Sequence, residues 1–174
     1  MGHEEHRRAG ARPVRVFVVT ASDSRGEAED ASGAYLKSEL ASAGHVLAGY
    51  RVVHDEPDEV RAALDEAVLA GADAVVVNGG TGISGRDRTY EAVAGLLEKR
   101  LDGFGEIFRW LSFQEIGSAA MLSRAVAGTW RGRAIFSVPG STAAVRLAWE
   151  RLIAPELGHV VFELAKHAPR GGRG

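Results

Sequence analysis

Between Ala74 and Val77 the chain reads Ala-Val-Val-Val, then stops abruptly at Asn78 and the loop Gly-Gly-Thr-Gly of residues 79–82. A short apolar, β-branched run of this kind marks a strand buried on both faces, and such strands belong to parallel sheets covered by helices above and below. The strand therefore empties into a loop almost free of side chains. Glycine there lets backbone N–H groups turn outward and a bulky anion approach, while the helix expected from Thr89 aims its positive end at the same place. Arg86, Asp87 and Arg88 add two cations and a carboxylate, an inventory suited to polyphosphate and a metal. The same residues also read as a tight turn, with Asp87 or Thr89 capping the next helix. The loop matches neither the lysine-bearing P-loop pattern nor G-x-G-x-x-G, so no standard nucleotide fingerprint decides between the two.

The rest of the chain repeats the same grammar. Val14 to Thr20 is a first strand, ending in Ala-Ser-Asp-Ser-Arg at 21–25, and Asp30 can cap a helix from about Ala31 to Ala43 that Gly44 closes. His45 to His54 alternates as a second strand ending at Asp55, and Pro57 opens a helix with Val60, Leu64, Ala67 and Val68 at helical spacing, ending at Gly71. After the glycine loop, Tyr90 to Arg100 reads as a third helix. Gly103 to Gly117 carries four aromatics between polar gaps and reads as two short helical pieces, a covering layer of core or a subunit contact. Ser118 to Arg124 is expected to be helical. Ala134 to Val138 is a last buried strand before Pro-Gly-Ser-Thr at 139–142, where Ser141 can cap a helix that Pro155 interrupts, and Glu156 to Lys166 closes the chain as an amphipathic helix.

Strands alternating with helices define βαβ units, hence an α/β fold: a three-layer α/β/α sandwich with a mostly parallel central sheet. At 174 residues one domain is expected, spanning 13–167 between flexible tails at 1–12 and 168–174, with His3 and His6 of the first tail merely solvated. A net charge of -2 gives no sign of a general affinity for nucleic acid or an anionic membrane. The absence of cysteine excludes disulfides, thiolate metal sites and a cysteine nucleophile. With no apolar targeting stretch and no run of eighteen apolar residues, a cytoplasmic protein is expected.

In open α/β sheets ligands bind beyond the carboxyl ends of the strands. Here four strands end in small or acidic residues: Ser22 and Asp23, Asp55, Gly79 to Asp87, and Gly140 to Thr142. All would share one edge of the sheet. Asp55 and Asp87, on different strand ends, can ligate Mg²⁺, which takes a few carboxylates plus phosphate oxygens, and Arg86 or Arg88 suits phosphoryl or nucleotidyl transfer. Each aspartate alone also reads as a helix cap, Asp55 for the helix at Pro57 and Asp87 for the one at Thr89.

Several short motifs then occur in order: Thr-Ala-Ser-Asp-Ser-Arg at 20–25, Asp-x-Ser-Gly at 30–33, Gly-Gly-Thr-Gly at 79–82 with Arg86-Asp87, Gly-Phe-Gly-Glu at 103–106, Arg-Ala-Val-Ala-Gly at 124–128 and Pro-Gly-Ser at 139–141. Together they resemble the MoaB/MogA family of molybdenum cofactor biosynthesis, related to the G domain of gephyrin, over residues 13–165. The segment from Gly105 to Gly117 resembles the MoaB branch. The resemblance implies an α/β/α domain that assembles as a homotrimer or homohexamer. It also implies binding of molybdopterin and, in active members, its Mg²⁺- and ATP-dependent adenylylation. By the resemblance the functional aspartates fall on Asp55 and Asp87, and the nucleotide loop on Gly79, Gly80, Thr81 and Gly82 with Arg86. Pterin contacts fall on Ser22, Asp23, Glu106, Ser112, Gly140 and Ser141. Asn78 stands where many relatives have Thr, and Pro-Gly-Ser-Thr lacks the second proline common in the MogA branch. A molybdopterin carrier without turnover and a nucleotide-binding regulator on the same scaffold are the rival expectations.

Overall fold

The structure, a computed structural model, describes residues 12–166; both expected tails, with His3 and His6, fall almost wholly outside them. In order the elements are β1 (Arg15–Ala21), α1 (Ala31–Ser42), β2 (Val46–Val53), α2 (Pro57–Leu69), β3 (Ala74–Asn78), α3 (Thr89–Leu96), β4 (Lys99–Arg100), α4 (Asp102–Ile116), β5 (Val126–Trp130), β6 (Arg133–Val138), α5 (Thr142–Ala148) and α6 (Ala154–Ala165). The six strands form one sheet in the order β2-β1-β3-β6-β5-β4. The first four run parallel; β5 runs antiparallel to β6, and β4 antiparallel to β5 at the sheet edge.

Alternation along the strands makes the three layers. Val16, Val18, Val76, Phe136 and Val138 point to the face covered by α1, α4, α5 and α6, where Leu36, Leu40, Phe108 and Trp149 complete the core. Phe17, Val19, Val75, Val77 and Ile135 point the other way, onto Val60, Leu64 and Ala67 of α2 and Val93 of α3. β3 is buried along its whole length, as a central parallel strand must be. Register aligns Thr20 with Asn78 and Asn78 with Val138, so β1, β3 and β6 end level and discharge their loops at one edge.

Four local expectations are corrected. The helix after the glycine loop stops at Leu96, and Lys99–Arg100 instead pairs with Thr129 and Gly128 of β5. β4 is two exposed polar residues, which carry no strand signature. A strand unforeseen from the sequence, β5, is interrupted by Gly128, which normally weakens strand character; here a Cβ would collide with the Lys99 carbonyl, so glycine is what admits the edge strand. β5 and β6 join through Arg131 and Gly132, both at positive φ, the backbone of a two-residue hairpin turn. The aromatic segment is a single 15-residue helix, α4, because apolar residues lie both inward (Phe108, Leu111) and outward (Trp110, Phe113), which blurs its periodicity. Residues Gly117–Leu122 form a 3₁₀ helix rather than the start of an α-helix reaching Arg124. Pro155 does not break the C-terminal helix: a π-helical turn over Trp149–Ile153 widens the backbone just before it, and α6 continues with Pro155 in its first turn.

Candidate active site at the carboxyl edge

The loops after β1, β2, β3 and β6 enclose a cleft of about 550 Å³. Its glycine wall is built by close approach. Gly79 has φ 99° and a Cβ there would collide with the Ala21 carbonyl, while its N–H donates to Val138 O at 3.0 Å. Gly80, at φ 60°, lies so close to Asp55 that a Cβ would sit 2.5 Å from the Asp55 carboxylate; at Gly82 it would sit 2.6 Å from that of Asp87. Bare backbone is what these positions require, against a backbone carbonyl at Gly79 and against carboxylates at Gly80 and Gly82.

Asp55, only 7% exposed, is placed by Asp23, whose carboxylate accepts the Asp55 N–H at 2.9 Å. Its own Oδ1 accepts from the Arg88 N–H at 3.0 Å, the Thr89 N–H at 2.8 Å and the Thr89 hydroxyl at 2.6 Å. Asp55 therefore caps α3, 34 residues away in sequence, and not α2, whose cap position Glu56 makes no side-chain capping bond. Asp87 caps no helix: its Oδ2 accepts the Ser84 N–H at 3.0 Å and the Ser84 hydroxyl at 2.6 Å, closing the loop on itself. The first donors of α3 are thus spent on Asp55, so the positive helix end expected to greet an anion is already neutralised. Charge for an anion comes instead from Arg25 and Arg86, both on the cleft wall.

Of the residues proposed from sequence, Ser22, Asp23, Asp55, Gly79, Gly80 and Thr81 line the cleft. So do Gly82, Arg86, Asp87, Gly140 and Ser141. Two stand apart. Ser112 is buried in α4 with its hydroxyl 3.4 Å from that of Ser123, a cleft residue, and Glu106 is exposed on α4 away from the cleft wall. Ser141 also caps α5, accepting the Ala144 N–H at 3.2 Å, and the Pro-Gly-Ser turn is tied to α1 by the Ser32 hydroxyl, which donates to Gly140 O at 2.9 Å. Arg25, Ser84 and Ser123 are cleft residues that sequence reasoning did not single out; Arg25 lies in the Ser-Asp-Ser-Arg motif, and its position one residue beyond Ser24 was the available signal.

Beside the cleft, Asp30 is buried at the start of α1. Burial alone would raise its carboxyl, but hydrogen bonds from the Thr20 hydroxyl, the Gly33 N–H and the Tyr50 hydroxyl, with the charge of Arg25, hold it below the usual carboxylate range. Among the described residues no three Asp, Glu or His side chains converge as a metal site. The hydrogen bonds described use one oxygen each of Asp55 and Asp87, which leaves one oxygen on each for a cation, a donor set that suits Mg²⁺ when phosphate and water complete its shell.

A three-layer α/β protein thus brings its glycine loop, aspartate pair and arginines together at the carboxyl edge, where sheets of this class place their ligand sites. Residues 15–159 match the family model described as "Probable molybdopterin binding domain". The chain is 51% identical over 168 residues to molybdenum cofactor biosynthesis protein B of Halalkalibacterium halodurans, covering 95% of this chain and 99% of that one. Its fold matches that of the tungsten cofactor synthesizing protein MoaB from Pyrococcus furiosus at a TM-score of 0.82, with 42% identity over 88% of this chain and 98% of that one. It matches the molybdopterin biosynthesis Mog protein from Mycobacterium ulcerans at 0.80, with 28% identity over 89% and 99%. The chain belongs to the MoaB/MogA family of molybdopterin-binding, molybdenum cofactor biosynthesis proteins.

Proposed function

We propose that the cleft binds molybdopterin and adenylylates it with ATP and Mg²⁺. The observation that carries this reading is the meeting, in one cleft, of two aspartates from different strand ends with a glycine loop and two arginines. The terminal phosphate oxygen of the pterin attacks the α-phosphorus of ATP; a new P–O bond forms, the bond from the α-phosphorus to the bridging oxygen breaks, and pyrophosphate leaves. The protein's part is alignment and charge neutralisation. Arg25 and Arg86 hold phosphate oxygens, backbone N–H groups of the glycine loop take up developing charge, and Asp23 holds Asp55 in place. Asp55 and Asp87 would hold Mg²⁺, which supplies Lewis-acid polarisation of the phosphates when bound.

Asp87→Asn is the discriminating variant, because Asn keeps an acceptor for Ser84 and so keeps the loop while removing the charge. We expect pyrophosphate release from molybdopterin and ATP to fall at least about a hundredfold, as loss of a group that stabilises transition-state charge does. Full activity in this variant would remove Asp87 from the metal site.

One observation favours the carrier reading: both aspartates have structural work, Asp55 as the cap of α3 and Asp87 as the tie of its loop, so their presence does not by itself demand turnover. The product assay separates the two. The outer face of α4 exposes Trp110 and Phe113, at 59% and 58%, with Ile107 and Ile116 beside them. We assign this face to contact between copies of the chain in a homotrimer or homohexamer. No helix among the described residues is long and apolar enough to cross a membrane.

A further inference from the structure

Arg124 precedes β5 and is not part of the cleft wall, yet it grips the glycine loop from behind. Its Nε donates to the Thr81 carbonyl at 2.8 Å and its Nη2 donates to the Gly82 carbonyl. Its Nη1 pairs with Glu91, and the guanidinium carbon lies 4.6 Å from the centre of the Tyr90 ring. Tyr90 and Glu91 belong to the first turn of α3, so the guanidinium sits on the α3 side of the loop.

The consequence follows from peptide geometry. In a trans peptide the carbonyl and the next N–H point in opposite directions, and there are no cis bonds among the described residues. Holding the carbonyls of Thr81 and Gly82 together on Arg124 therefore sends the N–H groups of Gly82 and Ile83 together to the other side. Successive N–H groups turned one way make an anion seat. We propose that Arg124 is a positioning residue that aims the Gly82 and Ile83 N–H groups at the phosphate oxygens of the ligand, an inference that rests on the phosphate reading of the cleft.

Its role is geometric more than electrostatic. Glu91 offsets the charge of Arg124, and the hydrogen bond from Arg124 holds the Glu91 carboxyl below its ordinary range. Two carbonyls, a carboxylate and an aromatic face are met at once by a planar fork, which lysine lacks. The sequence showed the motif Arg-Ala-Val-Ala-Gly at 124–128 but no reason for its arginine.

The experiment is calorimetric titration of pyrophosphate into the wild-type chain, R124K and R124Q, with thermal unfolding of each recorded without ligand. Both variants should bind about tenfold more weakly or worse, as loss of a hydrogen bond to a charged group predicts, and lysine should fail to rescue. A purely structural role would lower the unfolding temperature while leaving the affinity of the folded protein unchanged. R124K binding as tightly as wild type overturns the clamp and leaves the phosphate reading standing; wild type that binds no pyrophosphate overturns both. Should the variants not fold, the amide spectrum of the wild type decides: the Gly82 and Ile83 resonances are expected to move on adding pyrophosphate, and their standing still while it binds overturns the proposal.

Discussion

Asp55→Ala and Asp55→Asn should differ sharply in stability, and the difference measures how much of this residue is scaffold. In the folded protein one carboxylate oxygen satisfies two backbone N–H groups at 3.0 and 2.8 Å and a hydroxyl at 2.6 Å, with Thr89 wholly buried. Alanine removes the acceptor, at about 1 kcal/mol for a lost helix cap and about 1–3 kcal/mol more for donors left buried and unpaired. A total of about 3 kcal/mol corresponds to a fall in Tm of about 6–12 °C for a chain of this size. Asparagine keeps an acceptor and loses only the charge, so its cost is about 1 kcal/mol, or about 2–4 °C. The assay is thermal unfolding by circular dichroism at neutral pH without ligands. Equal melting of Asp55→Ala and wild type would refute the capping role. Equal damage from Ala and Asn would show that charge, not the acceptor, is what α3 needs. Either way, lost activity in Asp55→Ala cannot be assigned to a metal until its melting is known.

Other consequences are as specific. The Asp30 carboxyl is held low in the folded state, so it contributes stability above its unfolded value, about 3.9, and that contribution disappears as pH falls through the folded value. The Tm difference between wild type and Asp30→Asn should therefore be full near neutrality and shrink below about pH 4; a difference independent of pH contradicts it. Gly80→Ala forces a side chain against Asp55 at positive φ and should cost about 2–4 kcal/mol in denaturant unfolding. An unchanged midpoint would mean the loop relaxes freely. Trp110→Glu should reduce the assembled mass in multi-angle light scattering with the circular dichroism spectrum preserved; an unchanged mass would move the interface elsewhere.

Legibility in the sequence followed how local each signal is. The parallel core was readable because Val16 to Val19, Ala74 to Val77 and Ala134 to Phe136 are continuous apolar runs, and the caps Asp30 and Ser141 were readable because each bonds a residue three positions on. The cleft was readable because parallel strands must end together. What escaped was non-local. Asp55 caps a helix 34 residues away, so the nearby Pro57 was the only partner a linear reading offered. β4, only two polar residues, exists through its pairing with β5, which itself holds a glycine for that close approach. Arg124 reaches back more than forty residues to Thr81 and Gly82, a relation with no trace in spacing.

The most direct measurement follows the α-phosphate. Wild-type protein is incubated with molybdopterin, Mg²⁺ and ATP labelled at the α-position, and the pterin is separated from the nucleotides. Label transferred to molybdopterin by the wild type and lost in Asp87→Asn is the result predicted. Molybdopterin that binds but stays unlabelled would contradict adenylylation and leave the cleft as that of a carrier.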